Sequence, residues 1–249
     1  MSQLIRSELL KQRTTRTSLL LLGWMAGLIL LIVLLHVFSL STSHISTADG
    51  QLKVVGWGTS IGALFASLLG AMSITAEIRH GTIRPTFLAT PRREWVIASK
   101  LAAAALTGLG VGLLAEGLTA GIEAAGLGVR GIDIQLTAGG YLQLLAGGAA
   151  AGGLFAAIGL GVGAVVRQQT GAVVGLCVWL LLIETTLIGN VPSAGKFAPG
   201  AAAGAIAGAV QTQSASQLVA PAIGVLLLAA YTMIAAAAGV AFTNRRDVA

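Results

Sequence analysis

Charged residues are scarce in this chain, and so are proline, cysteine and aromatic residues. Only 10% of its 249 residues are Asp, Glu, Lys or Arg, whereas soluble domains carry about 25%. Because so few charges cannot cover a water-facing surface, a soluble globular protein is excluded and the bilayer is the main solvent. Spanning segments must satisfy every backbone polar group internally, which leaves helices or a closed barrel.

The groups needed for site chemistry are scarce as well. A single cysteine, Cys177, excludes an intramolecular disulfide, and its apolar surroundings indicate a small buried hydrophobe. The three histidines are scattered, with no Cys or carboxylate at metal-ligand spacing. Gly195-Lys196 lacks the leading Gly and the following Ser/Thr of a P-loop. We therefore predict no catalytic, cofactor-binding or metal-binding residue on this chain, and no enzyme activity of its own.

Long apolar runs are what the sequence does contain. The hydrophobic fraction is 55% and the mean hydropathy is +0.88, and the runs are continuous rather than alternating, which favours helices over a barrel. The first run is about 20 residues long, which fits a span rather than a cleavable signal. The prediction is an all-α membrane protein with six transmembrane helices, at 19–38, 54–75, 96–118, 141–166, 172–188 and 221–242.

The distribution of Lys and Arg predicts the orientation. Of the 15 basic residues, only Lys53, Arg130 and Lys196 fall on one side of the predicted spans, and the other twelve fall on the opposite side. The twelve-residue side is therefore expected to be cytoplasmic, with both termini inside, in a multi-pass protein of a prokaryotic cytoplasmic membrane. Membrane orientation then explains the basic pI of about 10.3, and no nucleic-acid partner is expected.

Two segments outside the spans are predicted to lie at the membrane surface or to re-enter it. In residues 1–18, Ile5 and Leu9 share one helical face while Arg6 and Lys11 lie on others, which is typical of an amphipathic helix on the inner leaflet. The alternative is a frayed basic tail that only sets topology. Residues 189–220 form an outer loop or a re-entrant segment, with 199–217 too small and polar for a seventh span.

Glycines four residues apart predict close contacts between helices in lipid. The spaced sets are Gly108/Gly112, Gly117/Gly121, Gly148/Gly152, Gly171/Gly175 and Gly200/Gly204/Gly208.

Acidic residues near the spans are candidates for function, because charge is costly to bury in a membrane. Glu116 and Glu184 are the membrane-embedded acids, and Glu123 lies near them beyond the predicted end of the third span. The alternative for each is that it reaches the interface or bonds a neighbouring helix.

The segment between the second and third spans, 76–95, is where acids, bases, Gly and Pro gather. Together with the start of the third span it carries Glu77, Gly81, Thr82, Leu88, Thr90, Pro91, Arg93 and Lys100. In this order, these residues resemble the cytoplasmic signature of ABC-2-type permeases, the membrane subunits of a class of ABC exporters. The resemblance extends over the chain, through Trp179 and Glu184 in the fifth span to a closing Arg245-Arg246-Asp247.

The resemblance implies a single permease domain over 1–249, whose 76–95 loop carries the coupling helix that docks on a separate ATP-binding subunit. The residues expected to serve that docking are Glu77, Arg79, Gly81, Thr82, Arg84, Thr90, Pro91 and Arg93. ATP and Mg²⁺ would be bound by the partner, and a second permease copy or homologue would complete the transporter. The alternative is that the basic residues serve only to keep this loop on the cytoplasmic side of the membrane.

The expected function is therefore the permease subunit of an ATP-driven exporter that moves a hydrophobic substrate such as a lipid or drug. One alternative is an ATP-independent secondary transporter or channel, and another is a membrane scaffold without transport.

Overall fold

The computed structural model describes residues 2–82, 93–209 and 218–245. These residues are helical and contain no strand. The α-helices are α1 Ser2–Thr14, α2 Arg16–Ser39, α3 Thr42–Ile45, α4 Ala48–Arg79, α5 Arg93–Val129, α6 Ala138–Val166, α7 Gln169–Cys177, α8 Glu184–Asn190, α9 Pro192–Gly195, α10 Pro199–Ala207 and α11 Pro221–Arg245. A π-helical turn, Val178–Ile183, joins α7 to α8.

Six of these helical stretches are long and apolar enough to cross a bilayer: α2, α4, α5, α6, the continuous α7–α8 and α11. The all-α membrane fold with six spans is thus confirmed. The helix that contains the predicted third span is longer than that span, because α5 has 37 residues and at 1.5 Å per residue is about 55 Å long. The apolar run on which the end of that span was set stops near Glu116 and Glu123, whereas the helix continues to Val129.

The core of the bundle is formed by α4, α5 and α6, and the other spans pack around it. The apolar window of α4 is 78% buried, whereas that of α11 is 11% buried. Large apolar side chains such as Trp24, Leu182 and Leu226 point outward from the peripheral spans. An apolar exterior of this kind suits a hydrocarbon solvent.

Glycine contacts hold α5 and α6 together. A Cβ atom on Gly108 would overlap the carbonyl oxygen of Gly152, and one on Gly112 would overlap the carbonyl oxygen of Gly148. These two predicted sets therefore mark a real interface. A Cβ atom on Gly117, by contrast, would have nothing within 4 Å of it, so spacing alone did not separate packed pairs from unpacked ones.

The connections at the end of the bundle where α2 ends are tied down by two polar side chains. Arg130 donates to the carbonyl oxygens of Val37 and Leu40, which satisfies free carbonyls at the end of α2. Gln51 is fully buried and donates to the carbonyl oxygens of Ile45 and Asp133. The loop after α5 is thereby fixed against the end of α3 and the start of α4.

The segment between α8 and α11 contains α10, a nine-residue helix that is too short to span a membrane. It packs against α4, α6 and α11, and most of its side chains are buried. The Tyr231 hydroxyl of α11 donates to the Phe197 carbonyl oxygen just before it, at 3.2 Å. In the part of 189–220 that the structure describes, the chain therefore folds into the bundle.

Candidate functional site

The end of α4 is a capped turn that directs the chain into the 76–95 loop. Gly81 has φ of +69°, a left-handed conformation that favours glycine. The Thr82 N–H donates to the Glu77 carbonyl oxygen at 3.0 Å, and the Gly81 N–H to that of Ile78 at 3.3 Å. This pair of bonds is the Schellman motif, which satisfies carbonyls at a helix C-terminus. Gly81 and Thr82 therefore have a structural role that is independent of any partner.

An ion-pair cluster lies at the same end of the bundle and consists of Glu8 and Lys11 of α1, Glu77 of α4 and Lys100 of α5. The Lys100 Nζ donates to Glu8 Oε2 at 2.9 Å and to Glu77 Oε1 at 2.7 Å. The Lys11 Nζ donates to Glu8 Oε1 at 2.8 Å and to Glu77 Oε1 at 3.0 Å. Each lysine thus bridges both glutamates, and the cluster is neutral as a whole.

Burial differs sharply between the two lysines of the ion-pair cluster. The Lys100 side chain is 2% exposed, whereas that of Lys11 is 51% exposed. Removing one partner from a buried pair leaves an uncompensated charge and costs about 3–5 kcal/mol, while an exposed pair contributes about 0–1 kcal/mol. Lys100 therefore contributes most of the cluster's stability, and Lys11 pairs with the same two glutamates from the solvent side.

The charges also shift the protonation of the α1 residues in the ion-pair cluster. Burial by itself raises the pKa of Glu8, but attraction and hydrogen bonds from Lys100 and Lys11 outweigh it and lower that pKa below its ordinary value. Burial likewise opposes the charge of Lys11, whose bonds to Glu8 and Glu77 nevertheless raise its pKa. Both groups therefore carry their charges at neutral pH.

The residues predicted for docking are placed as follows. Glu77 points into the ion-pair cluster, and only its Oε2 has no hydrogen-bond partner among the described residues. The Arg79 Nη2 lies 3.3 Å from the His80 Nε2 and is solvent-facing. Arg93 begins α5, but its side chain and the whole of Arg84, Thr90 and Pro91 lie outside the described residues.

Glu116 is buried where the three core helices meet, with 1% of its surface exposed. The Thr59 hydroxyl of α4 donates to its Oε1, and its Oε2 has no partner among the described residues. A Cβ on Gly58 would lie 2.7 Å from Glu116 Oε2, and one on Gly148 would lie 2.7 Å from Oε1. The lack of a side chain at these two glycines of α4 and α6 thus makes the space for this carboxyl group.

Glu123 lies two turns further along α5 and is completely buried. Neither of its carboxyl oxygens has a hydrogen-bond partner within the described chain, and the same holds for the hydroxyl of Tyr141. The Glu123 side chain is therefore covered by the bundle itself.

Glu184 is the first residue of α8 and is 3% exposed. Its Oε1 accepts hydrogen bonds from the backbone N–H groups of Gly200 and, at 3.2 Å, Ala201, in the first turn of α10. A carboxylate is favoured at a helix N-terminus, where backbone N–H groups are unsatisfied. Glu184 Oε2 has no partner in the described structure.

Two cavities lie beside the fifth span. The smaller cavity has a volume of about 290 Å³ and is lined by Glu184, Trp57, Thr59 and mostly apolar residues, both small and large. The larger cavity, of about 470 Å³, is apolar and lies between α6, α7 and α11, with Trp179 and Tyr231 in its wall.

Sequence reasoning identified the acids but not the pairing of Glu8 with Lys100. The one signal available was that Lys100, a base at the start of an apolar run, needs a counter-charge nearby. The chain carries nine acidic residues, and the sequence alone does not say which of them lies next to Lys100.

No protein-family model matches the chain, and no curated protein has significant sequence similarity to it.

Proposed function

We propose that this chain is the membrane permease subunit of an ATP-driven exporter. The observation that carries the proposal is the ion-pair cluster, because it joins the last turns of α4, the first turns of α5 and the N-terminal helix α1 into one unit. The 83–92 segment starts and ends at the two spans that this unit fixes. A push on the segment from a soluble partner would therefore reach the core helices directly.

Force transmission of this kind needs rigid elements. α4 and α5 are 32 and 37 residues long, and both belong to the buried core. A rigid-body shift of two long core helices changes the whole bundle at once, as alternating access requires. The basic residues near the 83–92 segment are also explained by membrane orientation alone. That explanation, however, gives no role to a neutral ion-pair cluster in which Lys100 is buried.

In this proposal the ion-pair cluster lies on the cytoplasmic side of a prokaryotic cytoplasmic membrane. ATP and Mg²⁺ are bound and ATP is hydrolysed by a separate ATP-binding subunit, and a second permease copy or homologue completes the pathway. The apolar lining of the larger cavity supports a hydrophobic cargo. The docking residues include Arg79, Arg84 and Arg93, whereas Glu77 acts by holding the ion-pair cluster together.

The first test is affinity purification of the tagged chain from its native membrane, followed by identification of its companions. We expect a stoichiometric soluble protein with a P-loop, which is lost from the double variant Arg79→Glu, Arg84→Glu. Lys196→Glu, at the other end of the bundle, is the charge-matched control and should retain the partner. A preparation of the intact chain without any ATP-binding companion would overturn the proposal.

ATP-independent secondary transport is a second candidate, and the buried acids Glu116 and Glu123 favour it, because intramembrane carboxyl groups often carry protons or cations. The two functions differ in their energy source. Substrate flux in vesicles that contain this chain alone, driven by an ion gradient and lost in Glu116→Gln, would support the second candidate over the first.

A further inference from the structure

The smaller cavity beside Glu184 has the features of a binding site for a positively charged ligand. We propose that it binds a primary ammonium group carried on an apolar body, with Glu184 Oε2 as the hydrogen-bonding counter-charge. As a substrate site it rests on the exporter function proposed above, whereas the binding itself does not depend on an ATP-binding partner.

The first argument is the unsatisfied oxygen of Glu184. Oε1 is occupied by the backbone N–H groups of Gly200 and Ala201, but Oε2 is buried without a partner among the described residues. An ionised Oε2 lacks a donor and a protonated one lacks an acceptor. A buried polar group left in this state destabilises the folded protein, and a ligand N–H donor would remove that destabilisation.

The second argument is the sign of the charge that the cavity would accept. None of its described lining residues is basic. The sequence of 210–217, which leaves α10 for the sixth span, contains no Lys, Arg or His either. Glu184 therefore has no cation beside it among the described residues that line this cavity, so an external ammonium group is the complementary partner.

The third argument concerns the rest of the ligand. Trp57 provides an aromatic face in the same cavity, which suits an ammonium group. Phe155 and Leu180 line both cavities and so form a shared wall between the acidic site and the larger apolar space. An apolar body attached to the ammonium would be placed next to the larger cavity, whose lining is almost wholly apolar.

Hydrogen bonding also restricts the type of cation. Oε2 needs an N–H donor, which a primary ammonium supplies and a quaternary ammonium lacks. The expected order of affinity is therefore octylamine first, octyltrimethylammonium second and octanol last. A cavity that selected only for apolar surface would bind the three probes alike.

The experiment is calorimetric titration of these three probes into the purified chain in phosphatidylcholine nanodiscs, with empty nanodiscs subtracted. The key variant is Glu184→Gln, because its carbonyl oxygen keeps the bonds to α10 while the charge is removed. We expect octylamine binding to weaken by about 10- to 100-fold, in line with the loss of a charge-assisted hydrogen bond, and octanol binding to remain unchanged. Equal octylamine affinity in wild type and Glu184→Gln would overturn the proposal.

A second pair of variants decides the question if Glu184→Gln does not fold. Ile188 lines the same cavity one turn after Glu184 on α8. Ile188→Lys would supply an ammonium from within the chain, in the favourable i,i+4 arrangement, and should abolish octylamine binding. Ile188→Met keeps the apolar length without the charge and should bind normally. Octylamine binding that survives in Ile188→Lys contradicts the proposal.

The ammonium group has two possible sources, a lipid headgroup or a soluble amine, and nanodisc composition separates them. Weaker apparent octylamine affinity in nanodiscs that contain phosphatidylethanolamine would identify the headgroup as a competing occupant. Unchanged affinity would assign the site to soluble amines. Because no ATP-binding protein is present, a failure of binding here leaves the exporter proposal intact, and the absence of an ATP-binding companion would leave this site intact.

Discussion

At the scale of single residues, Lys100 is notable as a lysine whose charged side chain is almost completely buried. It lies near the start of an apolar helix, almost fully buried, and its charge is balanced by carboxylates from two other helices. The arrangement satisfies a buried cation with two acceptors, as burial requires. Lys11 binds the same two carboxylates from the solvent side, so the two lysines offer a matched comparison of burial.

Lys100→Met should therefore destabilise the protein much more than Lys11→Met. We expect a loss of about 3 kcal/mol for Lys100→Met, because Glu8 and Glu77 are left with one exposed cation, and less than about 1 kcal/mol for Lys11→Met. Thermal unfolding in detergent, together with the rate of proteolysis within α1, measures both. Equal effects of the two substitutions would show that burial does not set the strength of the cluster.

The sequence identified the polar groups of this region but not their partners. Glu77 and Lys100 were expected to be near the membrane surface because they border apolar runs. Glu8 lies 92 residues from Lys100 along the chain, and its position depends on how α1 docks against α5. Local patterns contain no information on that docking, and so the contact required a three-dimensional structure.

At the scale of helices, glycine residues allow α5 and α6 to pack in close backbone contact. The two helices approach very closely at Gly108, Gly112, Gly148 and Gly152. A methyl group added to any of these glycines would overlap an atom of the other helix. The sequence predicted such contacts from spacing alone, and it also predicted Gly117/Gly121, where nothing lies near. Spacing shows which residues share a helix face, but not whether another helix covers that face.

Gly112→Ala should loosen the contact between α5 and α6, and Gly110→Ala on the same helix is its control. The first substitution places a methyl group against the α6 backbone, and we expect a loss of about 1–3 kcal/mol. A methyl group on Gly110 would have nothing within 4 Å, so alanine there should be neutral or stabilising by up to about 1 kcal/mol. Melting temperatures of the two variants in the same detergent give the comparison, and similar values would contradict the close approach.

At the scale of the whole molecule, the two ends of the bundle differ in how they use charge. One end has the ion-pair cluster and the capped end of α4. At the other end, Arg130 donates to a carbonyl oxygen at the end of α2, and Gln51 donates to the carbonyl oxygen of Asp133 in the loop after α5. The six spans and their order followed from hydropathy, because length and apolar content alone define them. The depth and pairing of the acids did not follow, because these depend on which helices surround them.

Orientation in the membrane is a property of the whole chain that can be measured with introduced cysteines. In a Cys177→Ala background, Arg13→Cys and Ser193→Cys each place one exposed thiol at opposite ends of the bundle. The excess of basic residues at the α1 end predicts that it is cytoplasmic. An impermeant maleimide added to intact cells should therefore label Ser193→Cys and leave Arg13→Cys unmodified until the cells are opened. The reverse pattern would invert the proposed topology.

The π-helical turn at Val178–Ile183 also determines which face of the fifth span carries the residues beyond it. A π turn contains one residue more than the α-helix it interrupts, so the helix beyond it is rotated by about 100°. A homologue with an uninterrupted fifth span would align with this chain only through a one-residue gap inside the turn. Alignment without that gap would match Glu184 to a residue on a different face. The one extra residue of the turn thus helps to bring this carboxylate to the start of α10.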